Sequence, residues 1–204
     1  PAYSFTAPES GKRDFTLRSV KEGAGETVVL SRTFPPGWTL FSAPLEPEPT
    51  EVKAQLADDL DDIQVFQYFD RSMYDPDSPE HVDIQAGIGY WLHLEEEAEL
   101  DFSGAPTDEN IPIEIPLSGG DWNLIGNPYT SEIAFGEFIL VRKGDETVGL
   151  SEAIDAGWIG PRIYGYNPET GGYEVFEIGS PLAPWRGYAV KALEECTIIN
   201  RTGP

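Results

Sequence analysis

Short runs in which apolar and polar residues alternate, each closed by glycine or proline, dominate the chain. Alternation at period two marks half-buried strands. It predicts strands over residues 3–7 and 14–20, joined as a hairpin through Pro8-Glu9-Ser10-Gly11, then over 27–34, 38–44, 63–69, 89–94 and 99–102. The pattern resumes over 111–117, in a hairpin of 162–166 and 172–176 turning through Asn167-Pro168-Glu169-Thr170-Gly171, and over 185–191 and 197–200. Two segments depart from it. After Thr50, a capping residue, Val52, Leu56, Leu60 and Ile63 recur at helical spacing, with Asp58, Asp59, Asp61 and Asp62 on the solvated face. Residues 151–157, with Ser151 at one end and Gly157 at the other, predict a second short helix. Many short strands punctuated by Gly and Pro argue for a mostly β fold of sandwich or barrel-like units with one or two short helices.

The strand motifs recur in order. Trp38-Thr39-Leu40 and Pro44 return as Trp122-Asn123-Leu124 and Pro128, 84 residues later. Val65-Phe66-Gln67-Tyr68 returns as Ile163-Tyr164-Gly165-Tyr166, and Gly89-Tyr90-Trp91-Leu92 as Gly187-Tyr188-Ala189-Val190, both at an offset of 98. A fixed order with a growing offset predicts two copies of one supersecondary unit, the second carrying an insertion near residues 138–159. The expected organisation is a leader over 1–34, which either edges the following sheet or ends an upstream Ig-like domain. A first unit then spans 35–107 and a second 108–204.

Gly120-Asp121-Trp122-Asn123-Leu124-Ile125-Gly126-Asn127-Pro128-Tyr129, Gly157-Trp158-Ile159, Ile163-Tyr164-Gly165-Tyr166, Pro184-Trp185-Arg186-Gly187-Tyr188 and Cys196-Thr197-Ile198 together resemble the "GWNLIS-x-P" type of tandem β-module. Such modules occur near the ends of large secreted or surface proteins of bacteria and archaea. The likeness spans about residues 35–204. It implies a secreted or cell-surface setting beside Ig-like domains and carries no activity. The first copy departs from the second by Thr39 and Ser42 in place of Asn123 and Gly126.

Composition narrows the partners. Against 13 basic residues stand 36 acidic ones, for a formal charge of −23. That charge repels polyanions, so nucleic acid and anionic membranes are excluded as natural partners. No segment reads as a spanning helix. Cys196, the single cysteine, rules out an intrachain disulfide and reads as a buried thiol. A chain that opens on Pro1 reads as a processed or excised product.

Candidate chemistry is sparse. His81 and His93 are the only histidines, at no zinc-like spacing, and no nucleophile elbow or phosphate loop occurs. No catalytic residue is therefore assigned. In the acidic loop, Asp70, Asp75 and Asp77 offer hard oxygen ligands that would suit Ca²⁺, although ordinary turn chemistry explains Asp-Pro-Asp as well. Trp91, Tyr68 and Tyr74 in the first copy, and Trp185, Tyr166 and Tyr173 in the second, would present flat faces to sugar rings or a protein partner. Trp38 and Trp122 are assigned to the core. Asn200-Arg201-Thr202 fits a glycosylation acceptor triplet. The expected function is that of a non-catalytic extracellular module that is structural, adhesive or docks a partner, such as other domains of its parent or a surface protein. The alternatives are a polysaccharide-binding module, Ca²⁺-assisted or not, and an accessory domain of a secreted hydrolase.

Overall fold

The computed structural model describes residues 17–20, 27–56, 58–60, 66–67, 83–108, 111–136 and 139–200. The fold is mostly β and sandwich-like, with no sheet closed into a barrel among the described residues. The first half holds β1 (Leu17–Val20), β2 (Thr27–Phe34), β3 (Gly37–Phe41), β4 (Glu46–Pro47), α1 (Val52–Leu56), β5 (Phe66–Gln67), β6 (Tyr90–Leu94) and β7 (Ala98–Ala105). They form two sheets, in the orders β1-β2-β7-β4 and β3-β6-β5. Alternation turns Val28, Leu30 and Phe34 of β2, and Leu100 and Phe102 of β7, into the interior, where Tyr90, Leu92 and Leu94 of β6 meet them. Phe41 of β3 ties the sheets together, its ring 5.8 Å from both Phe34 and Phe102. The expected leader boundary at residue 34 does not hold as a structural division, because β2 pairs with β7 from Val28 to Phe34 and is an interior strand. Its neighbour β1 edges the same sheet, while residues 3–7 lie outside the described residues.

The second half holds β8 (Ile113–Leu117), β9 (Trp122–Gly126), β10 (Ile133–Ala134), β11 (Ile139–Lys143), β12 (Glu146–Gly149), α2 (Leu150–Asp155), β13 (Ile159–Asn167), β14 (Gly172–Phe176), β15 (Pro181–Leu182), β16 (Gly187–Ala192) and β17 (Cys196–Asn200). Its sheets run β12-β11-β17-β8 and β14-β13-β16-β9, with β10 and β15 as a small separate pair. The 138–159 region carries α2 as expected and also the unforeseen β11–β12 hairpin, which turns at Gly144 with φ 58°. The first helix is shorter than its apolar stripe suggests. Val52 and Leu56 are buried, Ile63 lies outside the described residues, and the buried Gln55 amide bonds both Ser103 N–H and Ser103 C=O.

The strand pairs β3–β6 and β9–β16 can be compared position by position. On β3 and β6, Trp38 faces His93, Leu40 faces Trp91 and Phe41 faces Tyr90; on β9 and β16, Trp122 faces Lys191, Leu124 faces Ala189 and Ile125 faces Tyr188. The Tyr90 hydroxyl accepts the Gln85 N–H at 2.9 Å, and the Tyr188 hydroxyl accepts the Ala183 N–H at 2.8 Å. Each tyrosine thus pins the loop that leads into its own strand.

Corresponding backbone also meets across the seam. Phe41 bridges Arg186 as Ile125 bridges Ile88, and Ser42 N–H donates to Trp185 C=O as Gly126 N–H donates to Gly87 C=O. A Cβ on Gly89 would stand 2.8 Å from the Ile125 oxygen, and one on Gly187 2.8 Å from the Phe41 oxygen. At the centre, a Cβ on Gly126 would fall 2.1 Å from that of Ser42, so only one of the pair can carry a side chain. Ser42 is that one, and its hydroxyl donates to Arg186 C=O at 3.1 Å. The Thr39-to-Asn123 difference also has a local cause: Asn123 bonds both Ser118 N–H and Ser118 C=O, closing a turn that Pro35-Pro36 makes differently in the first half.

Trp185 corrects an expectation. Rather than offering a face to a ligand it is 1% exposed, its ring 6.1 Å from Phe34 and 5.6 Å from Phe102 in the core of the other half. Its backbone is left-handed at φ 66°, as at the corresponding Gly87 at φ 81°, and this aims the indole across the seam instead of along β16. Gly87 needs no side chain because Ile115 occupies the space, 2.9 Å from where a Cβ would be.

Gly126→Ala is expected to lower the free energy of chemical unfolding by about 1–3 kcal/mol through overpacking. Adding Ser42→Gly should recover most of that loss, giving a strongly non-additive double-mutant cycle. Trp185→Ala should cost about 3–5 kcal/mol, as emptying an aromatic core site does.

Candidate functional site

The strand alternation that buries Phe41, Tyr90, Ile125 and Tyr188 turns their neighbours to the opposite face of the same two sheets. Trp38 and Leu40 of β3, Trp91 and His93 of β6, Trp122 and Leu124 of β9, Ala189 and Lys191 of β16, Tyr164 and Tyr166 of β13, and Tyr173 and Val175 of β14 all share it. Trp38 and Trp122 are thus not core residues. Each is 37% exposed, and Tyr173 is 61% exposed.

The rings touch edge to face. Trp38 lies 6.1 Å from Trp91, Trp91 5.1 Å from Tyr166, and Tyr166 5.6 Å from Tyr173, with interplanar angles of 88°, 74° and 72°. This chain crosses from the first half to the second at Trp91 and Tyr166. A further pair, Trp122 and Tyr164, sits at 5.4 Å. Leu40, Leu124 and Ala189 form a buried apolar floor beneath. Edge-to-face packing holds each ring upright and leaves little rotamer freedom to be lost on binding. A pocket of about 440 Å³ opens on this face between Trp91, Trp122, Tyr164 and Tyr173, with Ala189 at its base.

Polar groups are few and mostly engaged. The His93 ring packs 4.8 Å from Trp38, Lys191 donates to Gly120 C=O at 2.6 Å, and Arg162 pairs with Glu177 at 3.0 Å. Among the described strand positions on this face none is Asp or Glu, although the chain carries 36 of them.

The structure therefore brings Trp91, Tyr166 and Tyr173 together on one surface and takes Trp185 out of it. Tyr68, Tyr74, Asp70, Asp75 and Asp77 lie outside the described residues. Sequence reasoning missed Trp38, Trp122 and Tyr164. The signal was parity: Tyr164 is two residues from Tyr166, and Trp38 is two residues from Leu40, which stands opposite Trp91.

Elsewhere, Asp58, Asp59 and Asp101 bring carboxylate oxygens within 4.8 Å of one another. Asp59 accepts the Asp101 N–H at 2.7 Å, and burial holds its pKa above the usual carboxylate range. This contact ties the end of α1 to β7, so Asp59 is not the fully solvated residue the helical pattern suggests. A polar cleft of about 740 Å³ lies between residues 116–124 and 195–197, and the Arg142 on its wall is held by Glu114. Cys196, which also touches it, is 5% exposed, and burial raises its thiol pKa. Asn200, the acceptor of the triplet, is 3% exposed, and Arg201 and Thr202 lie outside the described residues.

No family model, curated protein or solved structure matches this chain. No helix among the described residues is long and apolar enough to cross a membrane.

A thiol-specific reagent at pH 8 is expected to leave Cys196 unmodified in the native protein and to label it stoichiometrically after denaturation. Rapid labelling under native conditions would contradict the burial assigned to it.

Proposed function

We propose that this chain is a non-catalytic module of a larger secreted or cell-surface protein, built as two copies of one β unit, and that it docks a partner on its aromatic face. The observation that carries this reading is the set of six rings, Trp38, Trp91, Trp122, Tyr164, Tyr166 and Tyr173, on one sheet face across both halves. Tryptophan and tyrosine contribute most per residue at interfaces because they bury large areas with few rotatable bonds. A monomeric protein has little other reason to leave such rings half exposed in a contiguous patch.

Two further observations support the remainder. The matching strand registers and the paired seam contacts support descent of both halves from one unit. The resemblance of residues 120–129 and 184–188 to the tandem modules described above supports an extracellular parent. The charge of −23 keeps the body of the molecule soluble and away from polyanions, leaving the aromatic face, whose described strand positions carry no Asp or Glu, as its adhesive surface.

Binding of the fluorescently labelled chain to intact cells and cell-envelope fractions of its source organism tests the reading. The double variant Trp38→Ala/Trp122→Ala removes two rings that the core does not need. It is expected to bind at least about 30-fold more weakly, as loss of hot-spot residues implies, with its melting temperature lowered by no more than a few degrees. Absence of binding by the parent chain, or equal binding by the variant, would overturn the docking role of this face.

A further inference from the structure

We infer that the pocket based on Ala189 is a subsite for one ring of a neutral glycan, and that the neighbouring aromatics carry the rest of the chain. The inference rests on the aromatic face being the working surface. Its starting point is a difference between the halves. Trp91 faces Leu40 on β6 and β3 where Ala189 faces Leu124 on β16 and β9. In the first half an indole covers this spot; in the second only a methyl group does. The missing indole leaves the space of about 440 Å³, walled by Trp91, Trp122, Tyr164 and Tyr173. That volume falls within the ~300–1,000 Å³ of small-molecule sites.

The chemistry of the walls selects the occupant. Four aromatic side chains set at steep angles to one another, such as Trp122 and Tyr164 at 79°, suit a compact body with C–H bonds to pack on them. Trp91 and Trp122 carry indole N–H donors and Tyr164 and Tyr173 phenol hydroxyls among these walls. A pyranose matches both features, with apolar ring faces for the walls and equatorial hydroxyls for the rim. A hydroxyl-bearing ligand can pair such groups where it meets them, whereas a purely aliphatic one leaves any that it covers unpaired at a desolvation cost.

Charge narrows the choice further. No ionised side chain lines the pocket. Arg162 nearby is paired with Glu177, and the Lys191 ammonium, which donates to Gly120 C=O, lies 5.9 Å from the centroid of the Trp122 ring as a charge beside that wall. The net charge of −23 opposes approach of uronates and sulfated sugars. A neutral polysaccharide meets no such barrier. The run of rings from Tyr173 through Tyr166 and Trp91 to Trp38 continues the apolar surface away from the pocket, so an oligosaccharide gains contacts that a monosaccharide does not.

The test is isothermal titration of the full chain with cellohexaose, chitohexaose and mannohexaose, and with hexagalacturonate as the charged counterpart. At least one neutral hexamer is expected to bind, and the charged one is expected to bind more weakly than it. Ala189→Trp installs the residue found at the corresponding place in the first half and fills the pocket without deleting a ring. It should weaken neutral-hexamer binding about tenfold or more, while Ala189→Ser, which leaves the space open, should not. Should Ala189→Trp fail to fold, Tyr173→Ala, which removes an exposed wall, should weaken binding about fivefold or more. Undiminished binding by Ala189→Trp or by Tyr173→Ala, or preference for the charged hexamer, would overturn the subsite. If no neutral hexamer binds while Trp38→Ala/Trp122→Ala still loses cell-envelope binding, the glycan subsite falls and the docking face stands with a protein partner.

Discussion

At the seam between the halves, backbone meets backbone so closely that Gly126 has no space for a side chain opposite that of Ser42. Ser42 N–H reaches Trp185 C=O and Gly126 N–H reaches Gly87 C=O, while Gly89 and Gly187 lie against the carbonyls of Ile125 and Phe41. Side chains at these glycines would push the sheets apart by more than the hydrogen bonds could tolerate. Because the sheets are held this close, the two interiors merge into one continuous core from Val28 to Ile198. Trp185 reinforces the union by crossing the seam to pack on Phe34 and Phe102. Neither half is then a free-standing body, and the stability of each depends on the other.

The same closeness builds the outer surface. With β3 and β9 brought together at Ser42 and Gly126, Leu40 and Leu124 become neighbours in one small apolar floor, and rings from both halves stand around it. Trp91 from the first half touches Tyr166 from the second. A looser joint would leave two separate aromatic clusters, each too small to form a wall and a pocket. The rigidity of the face follows from the rings bracing one another and from the packed sheet beneath. A surface ordered before its partner arrives loses less entropy on binding.

Charge is distributed unevenly around this frame. Carboxylates crowd the turns and connectors, such as Glu46-Pro47-Glu48 and Glu95-Glu96-Glu97, and are absent from the described strand positions of the aromatic face. An excess of like charge opposes approach of a second copy to this face, because that copy must bring its own negative body with it.

The sequence alone determined the β-rich class, and the 162–176 hairpin was legible from its Asn167-to-Gly171 turn. Strict alternation along β6 sets Trp91 and His93 on one sheet face, where the sequence reading places His93 opposite Trp91. The sequence did not show which of the two faces is buried. Trp38 and Trp122 looked like core residues by their size and lie outside, whereas Trp185 looked like an exposed strand entrance and lies within the other half. The β11–β12 hairpin was missed because its apolar run is short and borrows its burial from β17. The vacancy over Ala189 was written in the alignment of Trp91 with Ala189, yet it became a pocket only once Trp122, Tyr164 and Tyr173 stood around it. Local periodicity is a property of a few consecutive residues, but burial is decided by whichever distant strand packs against them, and only the tertiary structure brings that strand into place.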